Sequence, residues 1–163
     1  MTKANLSRIT LLVSVLALVL AATANAQTPT PTPAPLKFFA VTPCRLVDTR
    51  GATGTNGGPA LAAGSPRNFQ VTGLCGVPGS AQAATLNVTL VTPSKNGFLK
   101  IWPFNLAMPS VSTINAAAGE PAIANGAIVP LTTDPSFNIS VIYGTGTPGG
   151  SAHCVIDVTG YFQ

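Results

Sequence analysis

The chain has one histidine, His153, so any serine nucleophile activated by an imidazole base must use it. Ser151 and Asp157 share its parity in an extended run and are the first partners to consider. Residues four apart on one strand stand ~13 Å apart, beyond hydrogen-bond reach, so His153 and Asp157 cannot act together along that strand. No Gly-x-Ser-x-Gly elbow offers a distant serine, and His153 reads as a satisfied strand histidine. Acid–base chemistry would fall to four carboxylates, Asp48, Glu120, Asp134 and Asp157. A glycosidase needs two of them at a set separation across a cleft. The enzymatic alternative is therefore an extracellular hydrolase acting on polysaccharide or cell wall through Asp48, Glu120 or Asp157. Their scattered placement makes no calcium loop. Zinc fares no better: Cys44, Cys75 and Cys154 form no Cys-x-x-Cys pair, and His153 and Cys154, as strand neighbours, face opposite ways. No metal and no cofactor is expected.

What remains is structural and binding chemistry. Asp48 is flanked by Arg45 and Arg50, and Asp157 sits in an otherwise apolar strand. A structural ion-pair set of Arg45, Asp48, Arg50 and Asp157, with at least one carboxylate buried, is the expectation; a substrate-facing pair is the competing one. Cys44 and Cys75 both lie where a strand gives way to a turn and are expected to form a disulfide, whereas Cys154 lies on the face of Ile156 and Val158 as a small buried hydrophobe. Trp102-Pro103-Phe104 follows a hairpin strand that the proline interrupts. Trp102 and Phe104 are therefore the candidate binding residues, as a platform for sugar or peptide, against a core role for the only tryptophan.

These residues must be positioned by an exported β domain. Lys3 and Arg8, the apolar run Ile9 to Ala22, and Ala24-Asn25-Ala26 make the three parts of a secretory signal peptide over 1–26, too short in its apolar part to span a bilayer. Thr and Pro alternate over 27–36, giving a stiff linker without the free N–H groups or apolar alternation of a donated strand. From 37 to 163 the pattern is a single β domain. Ala84 to Thr92 alternates strictly, Asn96-Gly97 turns it into Phe98 to Trp102, and Val111 to Asn115, Ala122 to Leu131 and Phe137 to Tyr143 follow, each bounded by Gly or Pro. The final run, Ala152 to Phe162, is expected to close the sheet against Phe38 to Arg50, where Thr42-Pro43 is expected to break the apolar run Phe38 to Val41 before Arg45 to Asp48. The Gly-rich stretch Gly51 to Gly64 suits either a mobile binding edge or simple slack, and reads as slack. The fold expected is all-β, an antiparallel two-sheet sandwich, jelly-roll or immunoglobulin-like, of about nine short strands.

Charged residues are 7% of the chain, so solubility rests on Thr, Ser, Asn and Gly. Once Lys3 and Arg8 leave with the leader, the six cations left exceed the four acids by two, with no basic cluster. That is too few phosphate contacts for nucleic acid, and no segment inserts the mature chain in a membrane.

Val41 to Arg50 (V-T-P-C-R-L-V-D-T-R), Leu74 to Pro78 (L-C-G-V-P), Thr85 to Thr89 (T-L-N-V-T) and Asp157 to Phe162 (D-V-T-G-Y-F) together resemble a family of secreted bacterial β domains. Its members open on P-C-R-L-x-D-T-R and close on D-V-T-G-Y-F, alone behind a signal peptide or repeated in surface and cell-wall proteins. The resemblance covers nearly all of the mature chain and implies location and fold, not a reaction. The function expected is a non-catalytic module, secreted to the periplasm, cell surface or matrix, for adhesion, assembly or carbohydrate contact, with cell-wall glycan or copies of itself as partners.

Overall fold

The computed structural model describes residues 34–163; the signal peptide expected over 1–26, and all of the linker before residue 34, lie outside the described residues. Nine strands follow: β1 (Phe38–Asp48), β2 (Leu61–Ala62), β3 (Arg67–Phe69), β4 (Ala83–Val91), β5 (Gly97–Pro103), β6 (Ile114–Ala116), β7 (Ala122–Pro130), β8 (Ile139–Thr145) and β9 (Ser151–Phe162). Strands of the first half pair with those of the second in reverse order: β1 with β9, β3 with β8, β4 with β7, β5 with β6. The chain is thus one long hairpin with its tip between β5 and β6, rolled so that β9 also meets β4 and β8 also meets β5. The product is two antiparallel sheets, β1-β9-β4-β7 and β3-β8-β5-β6, with β2 at the start of β9. This is the jelly-roll form of the sandwich and not the immunoglobulin-like one.

Period-two alternation builds the core. Leu86, Val88 and Leu90 of β4, Cys154, Ile156 and Val158 of β9, Leu99 and Ile101 of β5, and Ile139, Val141 and Tyr143 of β8 point between the sheets and form one cluster. Each large side chain fully buried there contributes ~1.5–3 kcal/mol. The Tyr143 hydroxyl, carried into this apolar space, donates to the Lys95 carbonyl at 2.6 Å. The closing strand lies inside its sheet as expected, with Arg45 opposite Asp157 and Asp48 opposite Val155.

Two stretches differ from expectation. Thr42-Pro43 does not end β1: the strand continues to Asp48 with its register shifted between Ala40 and Cys44, a break that an edge strand tolerates because the proline owes no ladder bond outward. The Gly-rich stretch is not slack. Asn56 donates to the carbonyls of Leu46 and Gln70 and accepts from the Gln70 amide, while the Arg67 guanidinium reaches the carbonyls of Gly57 and Pro59. Backbone oxygens that glycine leaves accessible are thereby gathered on one cation.

Cys44 and Cys75 are bridged, with Cα atoms 5.7 Å apart across 31 residues, and Cys154 is free and fully buried. A disulfide fits an oxidising compartment. Among the described residues no helix is long and apolar enough to cross a membrane.

Candidate functional site: an aromatic groove on the outer face of the second sheet

On β5 the residues alternating with core-facing Leu99 and Ile101 are Phe98, Lys100 and Trp102; on β8 they are Ser140, Ile142 and Gly144. The tip of the long hairpin, residues 104–113, folds back over one end of this outer face. Trp102 Nε1 donates to the Leu106 carbonyl at 3.1 Å and Lys100 Nζ to the Pro109 carbonyl at 2.7 Å. Trp102 is consequently only 7% exposed, and Phe104 is half-buried with its ring 5.5 Å from that of Phe137. The platform expected from Trp102 and Phe104 is corrected: both rings are spent on packing, because the loop after Pro103 covers the strand it leaves.

The uncovered end of the same face belongs to Phe98. It stands directly opposite Gly144, and a Cβ placed on Gly144 would overlap the Phe98 ring. Only glycine lets the ring lie flat across β8. Phe98, Ile142 and Gly144 floor a groove of about 410 Å³, walled by Met108 on one side and by the turn from Thr145 to Gly149 on the other. That volume lies in the range of small-ligand sites. A second depression of about 350 Å³ shares Gly146 and Thr147 with the first and adds Ser94, Lys95 and Asn96. The dividing turn is held in place: Lys95 Nζ donates to the Pro148 carbonyl at 2.6 Å and the Thr145 hydroxyl to the carbonyls of Thr147 and Gly149. The groove is therefore preformed, with an aromatic and aliphatic floor beside a rim of hydroxyls, amide and ammonium. Sequence patterning places Phe98 on the face of Trp102; the missing signal was its glycine partner, 46 positions on in the sequence.

The acidic candidates gather elsewhere, on the outer face of the first sheet. Asp48 accepts from Arg50 Nε at 2.8 Å, Arg50 Nη2 at 2.6 Å and the Arg50 amide at 3.1 Å. Arg45 reaches Asp48 at 3.2 Å and Asp157 at 2.5 Å. The four residues do form one ion-pair set, but the expected burial is corrected: the side chains are 25% to 50% exposed, because Arg45 and Asp157 pair across β1 and β9 on the solvent face. The Arg50 guanidinium beside it holds the Asp48 carboxyl well below the usual carboxylate range. Glu120 lies outside this set, in the turn before β7, where its carbonyl accepts from the Thr92 amide. Among the described residues no three His, Cys, Asp or Glu side chains come together as a metal cluster would require.

His153 is engaged with the turn after β1. Its Nδ1 lies 3.0 Å from the Thr49 carbonyl and 3.2 Å from the Thr49 hydroxyl, which itself accepts from the Cys154 amide. In the tautomer that carries its proton on Nδ1, the ring donates to the Thr49 carbonyl and ties β9 to the β1 turn.

No family model and no curated protein matches the sequence. Among solved structures the chain is similar to the tobacco streak virus coat protein, solved as a dimer, at 7% identity and a TM-score of 0.34 over 80% of this chain and 90% of that one. A likeness of that size carries no argument.

Proposed function

We propose that this chain is an exported, non-catalytic β module that contacts glycan or cell-wall carbohydrate through the groove over Phe98. The observation that carries the reading is the pairing of a flat-lying aromatic ring with a fixed polar rim. A pyranose offers an apolar C–H face and a ring of hydroxyls; the first suits Phe98 and Ile142, the second suits Thr145, Thr147, Ser94 and Asn96. The signal peptide read over 1–26, the stiff linker and the Cys44–Cys75 bridge support export, and the resemblance to secreted bacterial surface domains supports work at the cell envelope.

Hydrolysis draws less support. Asp48 is held ionised by Arg50 and so is a poor proton donor, and both Asp48 and Asp157 are engaged by Arg45. Retention on purified cell-wall and polysaccharide fractions tests the reading. Wild type is retained and Phe98→Ala, folded by circular dichroism, is not; equal retention of the two refutes the site. Product release from the same fractions that disappears in Asp48→Asn would establish the hydrolase instead.

A further inference from the structure

We infer that β7 is a homodimerisation edge, on which a second copy of this chain adds its own β7 to make one continuous sheet across a two-fold axis at Gly126. The strand is the last of the first sheet, paired on one side with β4 over Ala122 to Pro130 without a bulge. In an antiparallel ladder alternate pairs exchange hydrogen bonds. Leu131 donates to the carbonyl of Gln82, so the odd-numbered residues of β7 are those bonded to β4. The backbone groups of Ala122, Ala124, Gly126, Ile128 and Pro130 therefore point to the free edge, and among the described residues no strand meets them.

Edges of this length are ordinarily protected by charge, by a bulge or by cover. β7 has no charged residue between Glu120 and Asp134, no bulge, and a proline only at its last position. What sits there instead is apolar: Ile128 is 64% exposed and Ile123 is 37% exposed.

The partner follows from symmetry. A two-fold axis perpendicular to a sheet keeps each residue on its own face, so opposed residues must share parity, and the free groups are all on even positions. Setting Gly126 opposite Gly126 pairs Ala124 with Ile128 and Ala122 with Pro130, which uses the whole strand; Gly126 and the Ala124–Ile128 pairs exchange hydrogen bonds, while Pro130, without an N–H, only accepts from Ala122. Ile128 of each copy meets Ala124 of the other on the outer face and Ile123 comes opposite Val129 on the inner face, and no like charges are brought together along the paired run. A Cβ at Gly126 meets nothing within 4 Å, so the axis is sterically open. Nine paired residues span only ~30 Å, which buries less than the ~800 Å² per partner of a standard interface. The association is accordingly concentration-dependent.

Sedimentation of the mature chain from micromolar to millimolar concentration tests this. A monomer–dimer equilibrium is expected, weakened about tenfold or more by Ile128→Lys, which places a charge on the joined face. Register is tested by oxidation: opposed hydrogen-bonded residues have Cα atoms ~5.5 Å apart, within disulfide reach. Gly126→Cys should give a reducible covalent dimer, while Ile128→Cys, whose two copies stand ~14 Å apart, should not. A monomer at every concentration, a dimer indifferent to Ile128→Lys, or equal cross-linking of the two cysteine variants overturns the proposal. Circular dichroism and the melting temperature of each variant confirm that the comparison is between folded chains.

Discussion

The ring of Phe98 occupies the space that any side chain at Gly144 would need. Their opposition across β5 and β8 explains both the flat floor of the groove and a glycine in the interior of a buried strand, where it otherwise weakens the sheet. The same device recurs at Gly160, where the ring of Phe38 takes the corresponding space on the first sheet. Gly144→Ala should therefore lift the ring, costing about 1–3 kcal/mol of stability as overpacking, and should weaken glycan retention. Phe98→Ala removes a half-buried ring and should weaken retention with a smaller loss of stability. Urea melts beside the retention assay separate the two.

The Cys44–Cys75 bridge closes a loop that contains the Arg67-pinned stretch. In the chain-entropy model a loop of 31 residues is worth about 3–4 kcal/mol. The double variant Cys44→Ser/Cys75→Ser should lose about that much in a denaturant melt. Burial pushes the Cys154 thiol up to about 12, so a thiol reagent should leave it unlabelled until the protein unfolds. A non-reduced digest in which Cys154 is linked contradicts both statements.

Asp48 makes stability depend on pH in the acid range. Its carboxyl is held below its unfolded value by Arg50, so the stabilisation is fully present above pH ~4 and is lost as pH falls toward the lower folded value. The group is partly exposed and screened, so at neutral pH Asp48→Asn should cost about 1 kcal/mol or less. Below pH ~4 the gap between variant and wild type should close. Melts from pH 7 to pH 2, at low and high salt, read this directly.

The fold was legible because its signals are local. Strand alternation, the turn at Asn96-Gly97 and the apolar closing run each lie within a dozen residues, and Cys44, Cys75 and Cys154 follow from their places at turns and in a strand. The site was less so, because its relationships are long-range. Trp102 and Phe98 carry the same signal on the same strand, and what separates them is the covering loop on one and Gly144 under the other. Arg67 and Asn56 look like ordinary loop residues until the turn they hold is folded around them.

Asn138 is the sharpest case of a residue whose role its own neighbourhood does not announce. It is 1% exposed, its Oδ1 accepts from the Val71 and Thr72 amides at 2.8 Å, and its Nδ2 donates to the carbonyls of Thr132 at 2.9 Å and Asp134 at 3.0 Å. One side chain thus fastens the segment after β3 to the segment before β8, and every polar bond it can make in that buried place is made. Asn138→Ala leaves those amides and carbonyls without partners and should cost about 3 kcal/mol or more. Asn138→Asp keeps the acceptor but turns an ionised oxygen toward two carbonyls. The oxygen that replaces Nδ2 cannot donate to the Thr132 and Asp134 carbonyls that the amide reaches at 2.9 Å and 3.0 Å, so Asn138→Asp should also destabilise, by about 1–3 kcal/mol at neutral pH. Urea melts of wild type and both variants at pH 7 check it: variants as stable as wild type would show that Asn138 does not make these bonds in solution.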